Sequence, residues 1–138
     1  MFNKIRLVSI IIMPPPISTK QKKELIVLNS DEIRKLSNAP LTIKTLKVVG
    51  NEIEINISYI GGCKTHEFNL VADELLDSQD SSINLNLFHD DKGDRCKRIV
   101  KDKLVFDLSP LTKLNSGFKQ RDSIKLLVGD KAVEFDSN

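Results

Sequence analysis

The chain has 138 residues, 40% of them hydrophobic, which is material for one apolar core and not the composition of a disordered segment. Its 21 Lys and Arg stand against 19 Asp and Glu, and the net charge of +2 excludes the strong basic field that draws proteins to nucleic acid or acidic membranes. With no tryptophan and one tyrosine, Tyr59, there is little material for an aromatic platform that stacks bases or sugars.

Met1 to Arg6 carries Lys4 and Arg6, and Leu7 to Met13 is apolar, which is the order of a secretory signal at its lower limit of length. Pro14-Pro15-Pro16 interrupts it, with no small-residue cleavage site and no lipid-acceptor cysteine nearby. An atypical export or anchoring signal therefore stands beside a buried strand or a disordered leader. The apolar run is too short to span a bilayer as a helix. Residues 1–23 read as leader or linker and 24–138 as one domain, with Lys20 to Glu24 a solvated stretch and Leu25 to Leu28 a short strand. Ser30 is placed to cap a short helix over Asp31 to Ser37, which Asn38-Ala39-Pro40 ends.

The sheet proper starts near Thr42, and Gly50-Asn51 between two apolar runs predicts a two-residue hairpin. Ile53, Ile55, Ile57 and Tyr59 alternate with Glu54, Asn56 and Ser58, the pattern of a half-buried strand that Gly61-Gly62 breaks. Phe68 and Leu70 resume an inward phase that His66 shares. Asp73 to Ser82 reads as a polar connection. Ile83, Leu85 and Leu87 then alternate with Asn84, Asn86 and Phe88, and His89 falls next in the inward register. Period-2 geometry thus puts both imidazoles at strand ends on the core side. Leu104, Phe106 and Leu108 face inward after Cys96. Ser109-Pro110 opens a short helix that Gly117 closes, and Ile124 to Phe135 is a hairpin about Gly129-Asp130. Roughly seven or eight short strands with one or two short helices predict an all-β fold, a two-sheet antiparallel sandwich of immunoglobulin-like architecture.

Both cysteines and both histidines fall into two tight pairs, Cys63-x-x-His66 and His89-x6-Cys96. One reading joins Cys63 to Cys96 as a disulfide, since each lies in a loop beside a sheet end and oxidation suits an exported protein. A second holds zinc on Cys63, His66, His89 and Cys96, a complete tetrahedral ligand set that excludes the disulfide. A third is a Cys–His nucleophile and base, oriented by Asp94, although no helix N-terminus or oxyanion donors are readable. The plainest is that the histidines are hydrogen-bonded residues at the core edge, independent of the sulfurs. Asp90-Asp91-Lys92-Gly93-Asp94 lacks the alternating ligands of a calcium loop and reads as a solvated turn. Gly61-Gly62 matches no phosphate loop and reads as a bulge or positive-φ site. Asp107 is placed on the outer face or as a cap for the turn that follows.

The string Tyr59-x-Gly61-Gly62-Cys63-x-x-His66-x-Phe68-x-Leu70, with Leu87-x-His89-Asp90, Asp94-x-Cys96 and Phe106-Asp107-Leu108-Ser109-x-Leu111, resembles a group of uncharacterised bacterial envelope proteins, often lipoproteins, with a small β-rich domain. The resemblance covers about residues 45–135. It implies an extracytoplasmic location (periplasm, envelope or secreted) and favours the disulfide, with Gly61, Gly62, Phe68 and Asp94 as motif positions. It brings no activity. The chain departs from the pattern in lacking a lipid-acceptor cysteine after its apolar leader. The expectation is a non-enzymatic binding or structural module without a cofactor, zinc being the alternative and a Cys–His hydrolase the third reading. No nucleic-acid partner is expected, and membrane contact only through the leader. The sequence names no ligand, partner or oligomeric state.

Overall fold

A computed structural model describes residues 22–74, 82–114 and 124–135. The expected leader up to residue 21, most of the polar connection after Asp73 and the helix stop at Gly117 lie outside these residues. The described residues form nine strands and two short helices: β1 (Lys23–Glu24), β2 (Ile26–Leu28), α1 (Ser30–Arg34), β3 (Thr42–Val49), β4 (Glu52–Gly61), β5 (Glu67–Asp73), β6 (Ser82–Asp90), β7 (Arg98–Asp107), α2 (Ser109–Leu114), β8 (Ile124–Val128) and β9 (Lys131–Phe135). One sheet has the order β1-β7-β4-β3, the other β2-β5-β6-β8-β9.

The alternation in the sequence explains the two layers. Ile53, Ile55 and Ile57 of β4, Leu104 and Phe106 of β7, Phe68 and Leu70 of β5, Ile83 and Leu85 of β6 and Leu126 and Val128 of β8 are all buried in one core between the sheets. Each residue of such a set removes an apolar side chain from water, worth about 1.5 to 3 kcal/mol before the entropy of ordering it. Their outward neighbours, among them Asn56, Asn84 and Lys103, are exposed, so each strand can lie only one way up.

The sandwich agrees with expectation, while the pairing within it is mixed and not wholly antiparallel. β1 with β7, β2 with β5 and β6 with β8 run parallel. Alternation specifies which face is buried but not which strand lies alongside. Parallel neighbours arise here because the chain leaves the sheet between them: β6 reaches β8 only after β7 in the opposite sheet and α2.

Three local expectations shift. The strand expected over Leu25 to Leu28 starts one residue later, at Ile26, and Lys23–Glu24 is a separate strand where a solvated linker was expected. Leu25, 2% exposed, plugs the gap as the chain steps from one sheet to the other, and its N–H donates to Asp107 O at 3.0 Å. Helix α1 is capped by Asn29 and not Ser30. The Asn29 side chain accepts Glu32 N–H at 2.8 Å and the Glu32 carboxylate accepts Asn29 N–H at 3.0 Å, a reciprocal capping box. Ser109 is the first residue of α2 and not its cap, donating through both N–H and Oγ to Asp107 Oδ1 at 2.9 and 2.7 Å. Among the described residues no helix is long and apolar enough to cross a membrane.

Candidate functional site at the disulfide rim

The β4–β5 and β6–β7 connections lie at one rim of the sandwich, which brings the loops 62–66 and 91–97 side by side. Cys63 and Cys96, one from each loop, are joined as a disulfide with their Cα atoms 5.8 Å apart, a normal span for such a bond. No cysteine is free.

Asp94 lies under this bond and ties both loops to it. Its Oδ2 accepts N–H groups from Cys63 and Lys64, each at 3.1 Å, and its Oδ1 accepts Cys96 N–H at 3.0 Å. Oδ2 also accepts from His66 Nε2 at 2.7 Å, and neither side chain of this pair has any exposed surface. The turn that places Asp94 is built from Asp91 to Asp94: Asp94 N–H donates to Asp91 O at 2.9 Å, with Lys92 at φ 55° and Gly93 at φ 74°. Two successive left-handed residues make a type I′ turn, which explains a glycine beside the lysine. The Asp90 and Asp91 carboxylates accept the N–H groups of Lys92 and Gly93, so the acidic run serves its own turn.

The hydrogen bonds continue inward. His66 Nδ1 is 2.7 Å from His89 Nε2, and His89 Nδ1 is 3.1 Å from Pro40 O. Pro40 O can only accept, so His89 Nδ1 carries a proton, and ionised Asp94 can only accept, so His66 Nε2 carries another. The pair is thus anchored at both outer nitrogens, to a carboxylate and to a backbone carbonyl. Tyr59 and Phe68 wall the pair, with the Phe68 and His89 rings stacked at 4.6 Å and Tyr59 4.4 Å from His66.

These contacts set the titration behaviour. The bond from His66, then the N–H groups of Cys96, Cys63 and Lys64, hold the Asp94 carboxyl well below the usual carboxylate range. Burial pushes His89 below its ordinary value and the neighbouring His66 adds to this, against the bond to Pro40 O. Burial, then the Asp102 and Asp94 charges, raise the Tyr59 hydroxyl.

An acid-labile rim follows. Between the lowered folded-state pKa of His89 and its ordinary value of about 6.5, the unfolded chain binds a proton there that the folded chain refuses, so stability rises with pH across that window. Asp94 acts with the same sign at lower pH. Its contribution is present above its ordinary value of about 3.9 and is lost as pH falls toward its depressed folded-state value. The melting temperature is therefore expected to fall as pH drops from about 7 toward 5, and further below about 4. A His89→Phe variant is expected to lack its share of the upper limb. A melting temperature flat across the upper window would contradict this account.

Gly61 is the residue on which this geometry closes. A Cβ there would lie 2.7 Å from the His66 ring and 2.8 Å from Asp94 Oδ2, closer than real Cβ contacts come. Gly61→Ala is expected to cost about 1 to 3 kcal/mol and to displace the His66–Asp94 bond. Thermal melts read the first effect and imidazole NMR signals the second.

The structure brings Cys63, Cys96, His66, His89, Asp94, Gly61 and Phe68 together as a rim cluster, with exposed Gly62 at φ 109° on its outer side. It does not bring them together as a four-ligand metal site. The imidazole nitrogens face each other, Asp94 and Pro40, and among the described residues the side chains that converge as possible ligands are Cys63, Asp94 and Cys96. The sequence reading missed the Pro40 carbonyl, which no pattern marks, and an inward Asp102 on β7. Asp102 was legible: it is in phase with Leu104 and Phe106.

The two layers of strands match a known architecture over nearly the whole described chain, since the family model for the NigD-like C-terminal beta sandwich domain fits residues 24–136. The chain belongs to that family. No curated protein matches it in sequence. Among solved structures it is similar to a protein of unknown function from Bacteroides vulgatus (23% identity, TM-score 0.60, covering 83% of this chain and 56% of that one). A NigD-like immunity protein from Bacteroides caccae is 17% identical, with TM-score 0.60 and coverage of 86% and 61%. A Bacteroides fragilis protein provisionally described as a lipoprotein is 13% identical, with TM-score 0.59 and coverage of 85% and 71%. At these identities the likeness is one of fold, and the present chain spans less than two thirds of the first two structures. The resemblance to bacterial envelope proteins drawn from its motifs meets a family of the same β-sandwich build.

Proposed function

We propose that the chain is a non-enzymatic, extracytoplasmic binding module of a bacterial envelope, with Cys63 and Cys96 joined in the working protein. The observation that carries this reading is the disulfide itself. It spans two loops over a buried carboxylate that accepts from both cysteine N–H groups, and bonds of that kind are characteristic of oxidising compartments and rare where thiols are kept reduced. The names given to two relatives, an immunity protein and a provisional lipoprotein, support a binding role at the envelope. A catalytic reading has little to work with, because the sulfurs are bonded to each other and the ring nitrogens are engaged in buried hydrogen bonds.

Alkylation of the denatured, unreduced protein tests the proposal. No cysteine is expected to react before reduction and both after it; two reactive thiols on freshly isolated protein would remove the argument for export. Zinc on Cys63, His66, His89 and Cys96 is the alternative. It requires free thiolates and a broken His66–His89 bond, so stoichiometric zinc in native mass spectra of chelator-free protein would replace the disulfide reading with it.

A further inference from the structure

Among the described residues, the sandwich is closed along one side for only part of its length. Lys23–Leu28 crosses from sheet to sheet there, β1 pairing with Phe106 and Asp107 and β2 with Val71 to Asp73. Between that crossing and the disulfide rim, no described strand lies on this side against β7 from Arg98 to Val105, or against β5 from Glu67 to Leu70. A cleft of about 410 Å³ opens between the two edges. Phe68, Leu104 and Phe106 form its apolar wall, with Lys23, Tyr59 and Asp102 around them.

Two bonds fix which way the β7 backbone points. Leu25 N–H donates to Asp107 O on the open side, and Leu108 N–H donates to Asn51 O on the β4 side. Main-chain groups alternate sides along a strand, so Ile99, Lys101, Lys103 and Val105 direct their N–H and C=O groups to the opening. Side chains stand in for a missing neighbour at isolated points. Lys103 N–H donates to Asp102 Oδ1 at 2.8 Å, and Lys23 Nζ donates to Phe68 O at 2.7 Å and Asn69 Oδ1 at 3.0 Å.

We propose that this opening takes an extended segment of a partner protein, added to β7 as a strand, with apolar side chains directed inward and acidic ones outward at alternate positions. The proposal deepens the binding-module reading and rests on it. Three observations select that occupant. β1 is already a strand on this edge, parallel to β7 but only two residues long, so a longer partner continues an existing pairing. Inward positions of an added strand meet Phe68 and Leu104 over the cleft. Outward positions lie beside exposed Lys101 and Lys103, where opposite charges across a strand pair are favourable. Lys103 also meets Glu54 at 3.4 Å, whereas Lys101 has no ion-pair partner among the described residues. Lysines along an open edge also discourage two copies from pairing, which keeps the edge available to an acidic segment.

The test uses the full chain and a labelled peptide of roughly seven residues, an ordinary strand length, alternating valine with glutamate. Saturable binding is expected, with a lysine–valine peptide of the same pattern about tenfold weaker or worse. Lys101→Pro removes one main-chain donor from the open side and leaves the pairing with β4 intact, so it is expected to abolish binding without loss of the folded melt. Lys101→Ala keeps that donor and is expected to weaken binding only a few-fold. Amides of Ile99, Lys101 and Val105 are expected to exchange fast in the free protein and slowly with peptide. No binding, binding indifferent to Lys101→Pro, or amides already protected in the free chain would each overturn the proposal, the last by showing that the chain fills its own edge. Thiol counting reports on export separately, so either reading can fail alone.

Discussion

Replacing Cys63 and Cys96 together with serine is expected to lower stability by about 3 to 4 kcal/mol and the melting temperature by about 10 to 15 °C. The disulfide closes a segment with a sequence separation of 33, and the loop-closure entropy it removes from the unfolded chain is of that size. The native state adds a local reason. Asp94 holds N–H groups from both loops, and its bond to His66 is buried. Once the loops are free to separate, water reaches a carboxylate that now accepts four donors, and the His66–His89 pair loses its anchor. The effect is expected to be confined to that rim, because the opposite end is held by Phe106, Phe135 and the hairpin β8–β9. Urea denaturation of the double variant gives the magnitude. Amide exchange locates it: faster exchange over residues 62–66 and 91–97 with the core strands unchanged. A loss under about 1 kcal/mol would mean that Asp94 and the sheets hold the loops without the sulfurs.

Most of this architecture was legible because it rests on period-2 burial. Ile53, Ile55 and Ile57 or Ile83 and Leu85 have no second way to hide their side chains, and the same phase carried His66 and His89 inward correctly. What alternation leaves open is partnership. Ser82 and Lys125 lie opposite each other in the sheet, yet nothing in either residue says that β6 and β8 will run parallel, since that depends on where β7 goes in between. The Lys20 to Glu24 charge run concealed β1 for a related reason: Lys23 covers a carbonyl of the other sheet with its ammonium group, a role decided by tertiary approach and not by local composition. At the site, the sequence placed Cys63, His66, His89 and Cys96 in one cluster, with Asp94 only as a group to orient a histidine, and could not order the contacts inside it. Imidazoles bond whatever lies within about 3 Å, and that was each other, Asp94 and a proline carbonyl brought from residue 40.

Phe106→Ala is expected to cost about 3 to 5 kcal/mol, comparable to loss of the disulfide but for a different reason. Phe106 is 1% exposed, lies opposite fully buried Ile53 on β4 and is flanked by Lys23 of β1 on its other side. Truncation removes its transfer free energy and leaves a void that neighbours on two strands cannot fill without shifting. Phe135→Ala is the matched comparison, because Phe135 is also 1% exposed but belongs to β9, away from the open side. Both variants are expected to lose similar stability in urea. Only Phe106→Ala is expected to disturb the edge of β7, since Phe106 walls the cleft and pairs with the two-residue strand that closes its far end. The readout is amide exchange at Leu25 and Val105, faster in Phe106→Ala and unchanged in Phe135→Ala. If both variants left those amides alone, β1 would be held by Leu25 and its bond to Asp107 without help from the ring beneath it.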